Sequence, residues 1–440
     1  MSSDPDTLDS AVLVGARIFD GTVWHDGQGL MLGSNGRVRG IFPADDIPTS
    51  LPRTMLDGGM LVPGFIDLQA NGGGGVLLNE QPNVEGIETI CTAHRPFGTT
   101  ALLPTLITDT TAVAQQALEA GRAASAQNVP GFLGLHMEGP HLSLARKGTH
   151  APDLIRPMTD ADLQHLAEAA RNMPVLLSTV APETVTCAQI QQLVRAGIIV
   201  SLGHSDASLA VAGEASKAGA TLVTHLFNAM SPLGHREPGM VGNALDMPGL
   251  HVGLIADGIH VDPVAIAIAL RAKRPPGHVF LVTDAMATLG TTLDSFTLNG
   301  RTIYRRNGRL TLADGTLAGA DIDMISSVRF MHDVIGLPLD EALRMASLYP
   351  AMAIRKSHEL GHLRPGAIAN ITYTSEDLKV RKVWVNGKLE AAMKDIEEWQ
   401  QTYELLSSVP GIGDGVAFTL LGELPELGKS QKPESRRSIR

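Results

Sequence analysis

From Leu61 onward the chain alternates short apolar runs with longer stretches of helical periodicity. The runs are Leu61–Leu68, Thr99–Leu103, Gly131–His136, Val175–Val180, Ile198–Leu202, Thr221–Thr224, His251–Ile255 and Val279–Thr283. Helix-like segments separate most of them, among them Thr110–Ala124, Asp160–Arg171, Ala188–Ala196, Ala207–Ala218 and Pro263–Ala272. Apolar positions follow one another instead of alternating, as expected for strands buried on both faces. Eight such strands with intervening helices predict an α/β fold, a (β/α)8 TIM-type barrel. A doubly wound open sheet is the alternative, and the count favours closure.

The flanks carry a different pattern. Ala11–Ile18 is β-prone, and Gly29–Leu32 and Val38–Phe42 flank Asn35-Gly36, a hairpin signal. After Asp284 the repeat stops. Phe296–Leu312 contains Asn299-Gly300 and Asn307-Gly308, which predicts a hairpin excursion, and helical segments follow at Met324–Val334 and Leu339–Ala346. Strand character returns at Asn370–Thr374 and Val380–Val385, closed by Asn386-Gly387. We therefore expect a small β-sandwich domain built from both chain ends, residues 1–60 plus 361–390, beside a barrel over 61–360. A C-terminal extension over 391–440 is expected to be partly disordered, ending in the basic, polar Lys429–Arg440.

Composition narrows the function. The 440 residues are 44% apolar and 18% charged, enough for a large core. Thirty-five basic against 46 acidic residues give a formal charge of −11. That balance argues against nucleic acid or an anionic membrane as partner, but not against a small anionic substrate held by a few local cations. No apolar run approaches the ~20 residues that cross a bilayer. Met1–Ser10 is polar and acidic, without the apolar core of a secretory signal. Cys91 and Cys187 form no close pair, so neither a disulfide framework nor a cysteine zinc site is expected. A cytoplasmic protein follows.

Chemistry in such barrels sits at the C-terminal ends of the strands. Strand one ends in Asp67, Gln69 and Asn71, then Gly72–Gly75; strand three in His136-Met137-Glu138-Gly139-Pro140; strand five in Gly203-His204-Ser205-Asp206. Strand six ends in His225, with Asn228 beyond, strand seven in Asp257-Gly258-Ile259-His260, and strand eight in Asp284. Singly, a histidine at a strand end is a structural hydrogen-bonder and a glutamate before Gly-Pro a turn cap. Together they match a catalytic metal with three protein ligands and one position for water. His94, His165 and His278 fall in helices or before a strand and read as surface or packing residues.

Longer motifs make the chain recognisable. PGFIDLQANGGGG (63–75), LPTLIT (103–108), GLHMEGPHLSLARKGTHAP (134–152), GHSDA (203–207), THLFNAM (224–230), GHREPGMVG (234–242), IADGIHVD (255–262), LVTDAMA (281–287), GTLAGA (315–320) and RMASLYPA (344–351) occur in that order. Over residues 10 to 388 the chain resembles the phosphorylated amino-sugar deacetylases of the amidohydrolase superfamily. The resemblance implies hydrolysis of the acetamide of N-acetyl-D-glucosamine 6-phosphate to D-glucosamine 6-phosphate and acetate, in amino-sugar catabolism and cell-wall recycling. It implies Glu138, His204 and His225 as metal ligands, Asp284 as general base and acid, and His150 and His260 as substrate-contacting histidines. Thr149, Asn228, Ala229, Leu317, Ala318 and Gly319 match substrate contacts. Arg236 matches a phosphate-binding arginine that reaches the neighbouring active site of a homodimer; a surface ion pair with Glu237 is its alternative.

The departures are informative too. Gln69 and Asn71 stand where relatives carry a His-x-His pair, Gly73 where some carry cysteine, and no lysine follows strand four. Amides are poor ligands for a transition metal, so one divalent ion per subunit is expected, zinc with iron(II) as the alternative. A different N-acyl amino sugar as substrate, or a catalytically silent barrel, are the competing readings.

Overall fold

The computed structural model describes residues 11–392. Eight strands form one sheet in strict sequence order: Phe65–Ala70, Thr99–Ile107, Leu135–Glu138, Leu176–Val180, Ile199–Leu202, Leu222–Val223, His251–Leu254 and Val279–Leu281. Every neighbouring pair is parallel. Strand eight returns to strand one at the rim, where the Asp284 amide donates to the Gln69 carbonyl (2.9 Å) and Ala70 bridges Ala285 in parallel. The predicted barrel is there, and its closing seam runs through Asp284.

Alternation within the strands feeds two cores. Leu103, Leu177, Ile199, Leu222 and Phe280 meet inside the barrel, while Leu176, Val200, Val223 and Leu281 join Ile190, Leu193 and Ile266 of the surrounding helices. Those helices are α1 (Val84–His94), α2 (Thr111–Ala126), α3 (Asp160–Ala170), α4 (Cys187–Arg195), α5 (Leu209–Lys217), α6 (Gly239–Asp246), α7 (Pro263–Ala272), α8 (Met324–Asp333) and α9 (Leu339–Ala346). Their starts are written locally. Thr159 with Asp162 and Thr186 with Gln189 form reciprocal capping boxes, and Asp262 caps α7 ahead of Pro263. Among the described residues no helix is long and apolar enough to cross a membrane.

Both chain ends build mixed sheets. Val38–Pro43, Gln28–Leu32, Ala11–Val14 and Arg53–Met55 make one of four strands. Lys388–Ala392, Val380–Val385, Ile371–Thr374, Met60–Pro63, Arg17–Phe19 and Trp24–His25 make another of six. Leu13, Leu30 and Val38 from the first share a core with Ile18, Leu61, Ile371 and Trp384 from the second.

Several boundaries differ from expectation. The β-prone Ala11–Ile18 breaks at Gly15, whose φ of +93° brings its α-carbon so near the Leu56 carbonyl that a β-carbon would lie 2.3 Å from the oxygen. Strand three starts at Leu135 instead of Gly131, and strand six shrinks to Leu222–Val223. The hairpin around Asn35-Gly36 is as expected, its five-residue loop closed by Gly33 N–H to Arg37 O (2.8 Å). The excursion after strand eight is larger than one hairpin: Ser295–Leu298, Arg301–Arg306, Arg309–Thr311 and Leu317–Ala320 form a four-stranded antiparallel sheet. Lys429–Arg440 lies outside the described residues.

Candidate metal centre

Three side chains from three strands meet on the C-terminal rim. Glu138 Oε1 lies 3.2 Å from His204 Nε2 and 3.1 Å from His225 Nε2, and the two nitrogens are 3.0 Å apart. All three residues are buried. His204 Nδ1 donates to the Arg146 carbonyl (2.9 Å), which fixes the tautomer and leaves the Nε2 lone pair aimed at the cluster. Lone pairs on a carboxylate and two imidazoles cannot share so small a space without a positive centre between them. A metal cation would supply it, and one carboxylate oxygen plus two imidazole nitrogens is the donor set of a catalytic metal with open positions. Burial opposes ionisation of Glu138, yet its close contacts with the His204 and His225 imidazoles outweigh it and hold the carboxyl well below its ordinary range. Burial likewise pushes the His225 imidazole down, and its bond to Glu138 turns the net shift upward.

The backbone is strained where these side chains leave the strands. His204 (φ +48°), His225 (+27°) and Asp284 (+52°) all sit in the left-handed region without being glycine. Below them a buried polar chain runs across the barrel: His136 Nε2 to Thr179 Oγ1 (2.7 Å), Thr179 to Thr224 (2.7 Å), and Ser201 to Thr224 (2.6 Å). Burial pushes His136 down to about 4, so it stays neutral and belongs to this floor.

Asp284 faces the cluster from strand eight. Its Oδ1 accepts from Asn71 Nδ2 (2.7 Å) and Gln69 Nε2 (3.2 Å), and the same Gln69 nitrogen reaches Glu138 Oε1 (3.1 Å). Enclosure by the rim raises the Asp284 carboxyl to about 6, and the negative charge of Glu138 adds to the rise. The two amides turn N–H groups toward Glu138 and Asp284, while Asn71 Oδ1 is buried without a hydrogen-bond partner among the described residues. A β-carbon on Gly73 would lie 3.1 Å from Ala93 Cβ and 3.2 Å from His94 Cδ2, so that position is closed. Beneath Asp284, buried Asp67 accepts from Thr283 Oγ1 (2.5 Å) and is pushed up to about 7 by desolvation.

His150 packs edge-on against His204, ring centroids 4.4 Å apart. Its Nδ1 accepts from Thr108 N–H (3.3 Å) and contacts Thr108 Oγ1 (2.7 Å), which puts the ring proton on Nε2. Burial first, then the neighbouring imidazoles, depress its pKa, so the ring is neutral. His260 Nδ1 donates to Asp257 Oδ2 (2.6 Å) and is largely buried. Asn228 is half-buried, its amide bound to the Leu226 carbonyl (3.2 Å), and half-buried Ala229 has φ +47°. Leu317, Ala318 and Gly319 lie on the last strand of the excursion. There the Gly319 backbone is so close to Asp284 that a β-carbon would come within 2.8 Å of its carbonyl oxygen. Thr149 is half-buried next to His150.

Arg236 stands apart from this group, exposed in the loop after strand six and without a hydrogen bond or ion pair among the described residues. Glu237 accepts instead from the backbone N–H of Leu209 (2.7 Å) and Gly239 (3.0 Å). The packing histidines are as expected: His94 is buried on the Gly72 carbonyl, His165 contacts Gln115, and His278 stacks on Tyr349 at 4.0 Å. Sequence reasoning passed over Thr108, Arg301 and Glu183. Glu183 accepts from Ser205 Oγ (2.8 Å) and Asp206 N–H (2.6 Å) and so braces the loop that carries His204. Its place just past strand four is the signal that could have found it.

A (β/α)8 barrel whose rim brings a Glu/His/His cluster opposite an aspartate is the arrangement of a metal-dependent hydrolase. The chain belongs to the Amidohydrolase family, whose profile matches residues 60–389. It is 41% identical over 362 residues to the N-acetylgalactosamine-6-phosphate deacetylase of Shewanella sp. (strain ANA-3), covering 82% of this chain and 90% of that one. It is 39% identical over 359 residues to the N-acetylglucosamine-6-phosphate deacetylase of Haemophilus influenzae, covering 80% and 93%. The crystal structure of N-acetylglucosamine-6-phosphate deacetylase from Pasteurella multocida superposes with a TM-score of 0.84 at 39% identity, over 87% of this chain and all of that one.

Proposed function

We propose that this chain hydrolyses the acetamide of N-acetyl-D-glucosamine 6-phosphate, releasing D-glucosamine 6-phosphate and acetate. The observation that carries the reading is the pairing of the Glu138/His204/His225 cluster with Asp284 at the barrel's closing seam. Those three ligands would hold one divalent ion, zinc or iron(II), both of which suit a carboxylate with two imidazoles. When bound, such an ion lowers the pKa of a water ligand from about 15.7 towards about 7 and polarises a carbonyl oxygen.

The chain's own groups do the rest. Asn71 and Gln69 occupy Oδ1 of Asp284 and leave Oδ2 to take a proton from the attacking water. The water oxygen bonds to the acetamide carbon, and the carbonyl electrons move onto its oxygen. His150 Nε2–H donates to that developing oxyanion, a contribution on the order of 3 kcal/mol for a preorganised donor. Asp284 then passes its proton to the nitrogen as the C–N bond breaks, giving the free amine and acetic acid, whose remaining proton is lost to solvent to leave acetate. Thr149, Asn228, Ala229 and the Leu317–Gly319 strand hold the sugar. His260, steadied by Asp257, and Arg236 bind the 6-phosphate. Arg236 is exposed and unpaired among the described residues, which suits a role in a neighbouring subunit's site within a homodimer. The formal charge of −11 and the small anionic substrate fit a cytoplasmic metabolic enzyme without nucleic-acid or membrane partners.

The Shewanella relative favours a second reading, N-acetyl-D-galactosamine 6-phosphate as substrate. Acetate release from both epimers by metal-quantified protein decides. Turnover of the glucosamine epimer, abolished by a chelator and restored by zinc or iron(II), is expected; release from the galactosamine epimer alone selects the second reading. Arg236→Ala should raise KM for the phosphorylated sugar on the order of 10–100-fold, matching about 1.5–3 kcal/mol for a charge-assisted bond. Equal change for the unphosphorylated sugar rejects the phosphate role.

A further inference from the structure

The four-stranded excursion over Ser295–Ala320 lies outside the βα repeat, yet it touches the rim at several places. Its residues Leu298, Ile303, Leu310 and Ala318 share a small core with Leu77, Ile107, Met286 and Ala287. At its base the Ala320 amide donates to the Asp284 carbonyl (2.9 Å). At one tip the Asn307-Gly308 turn faces Ile259, a β-carbon on Gly308 lying 4.0 Å from its Cδ1. The fourth attachment is polar: Arg301 Nη2 donates to the Thr149 carbonyl.

Two of these attachments converge on one group. Ile107 precedes Thr108 and Thr149 precedes His150, and Thr108 and His150 are the pair joined by a 2.7 Å contact. The excursion thus grips both chain segments that fix the His150 ring, one by apolar packing and one through a cation. We propose that Arg301 is a positioning residue, whose guanidinium holds the Thr149 carbonyl and so keeps the His150 ring turned to the Glu138/His204/His225 cluster. The other arginines of the sheet do not share this role. Arg305 is engaged by Asp321 (2.8 Å) and the Thr291 carbonyl (2.8 Å), Arg306 lies over the Tyr304 ring at 4.9 Å, and Arg309 is exposed. A planar fork suits the task because one N–H can hold the carbonyl while the others stay oriented. The inference rests on the proposed role of His150 as an oxyanion donor, a group needed more in the transition state than in the ground state.

The test compares Arg301→Ala, Arg301→Lys and the control Arg309→Ala in full-length, metal-loaded protein. Arg301→Ala should lower kcat on the order of 10–100-fold, as a small misplacement of a catalytic donor does, while KM rises by a smaller factor because Thr149 also holds the sugar. Arg301→Lys and added guanidinium should each restore part of the loss, and Arg309→Ala should behave as wild type. A kcat for Arg301→Ala equal to that of Arg309→Ala overturns the proposal, as does a loss confined to KM. Trypsin cleavage after Arg305, Arg306 and Arg309 provides a readout free of activity: the variant should be cut faster than wild type. If wild type hydrolyses neither sugar phosphate, the proposed function fails, while equal tryptic rates would still reject the Arg301 clasp. Should Arg301→Ala not fold, Arg301→Gln carries the same comparison.

Discussion

The two halves of the rim carry opposite hydrogen-bonding sense. On strands three, five and six, Glu138, His204 and His225 turn lone pairs toward a common point. On strand one, Gln69 and Asn71 turn N–H groups toward Glu138 and Asp284. Both halves are buried and polar, and both end strands of the same barrel. The difference teaches that residue size and position do not alone decide where a cation sits. The direction of the donors matters as well, because the amide N–H groups of Gln69 and Asn71 face the two carboxylates and would repel an ion placed between them.

That contrast can be broken at its centre. Asp284→Asn keeps the amide contacts but removes the proton acceptor, and kcat should fall on the order of 10⁴-fold with metal content unchanged. Near-normal turnover in that variant would remove Asp284 from the chemistry. Glu138→Gln converts a ligand into an amide like those of strand one. Metal affinity, read by chelator competition, should drop by more than the roughly 10–100-fold seen for outer-shell partners; retained affinity would move the ion elsewhere.

A gentler probe is pH. Asp284 acts as a base only when ionised, and its carboxyl stands at about 6 without a cation, so kcat/KM of the metal-loaded protein should fall by a decade per unit below a limb no higher than that value. A bound cation moves this limb to lower pH. A limb above 7 would point to another group. The smallest change is expected from the double variant Gln69→His with Asn71→His, which replaces donors by possible ligands. Metal content should rise from one towards two ions per chain, weakly bound because neither cysteine at 73 nor a lysine after strand four assists. No second ion at saturating zinc would show that the donors alone do not set the number.

Much of this was legible beforehand. Each of the eight apolar runs overlaps a barrel strand because strands buried on both faces need continuous apolar sequence, although Leu61–Leu68 also takes in part of Met60–Pro63 from the six-stranded sheet. The rim rule then gathered the polar strand ends, and the family resemblance picked Glu138, His204, His225 and Asp284 from them. The short helix α6 went unread: Gly239 and Gly242 obscure its start, and tertiary packing supplies what propensity does not. Arg301 was illegible for another reason. Its partner is a backbone carbonyl 152 positions away, reached from a sheet that belongs to no repeat. The left-handed φ values of the ligands carry no sequence signal either, since the surrounding fold imposes them on residues that would not choose them.

The seam at Asp284 sets when the protein can first act. During synthesis the three ligand positions emerge in the first half of the chain or just beyond it, but Asp284 bonds Gln69 across 215 positions. A nascent or truncated chain ending before strand eight therefore holds a complete ligand set with neither a closed barrel nor a base. Such a fragment could gather metal and do nothing with it, so hydrolysis waits for the last strand to find the first.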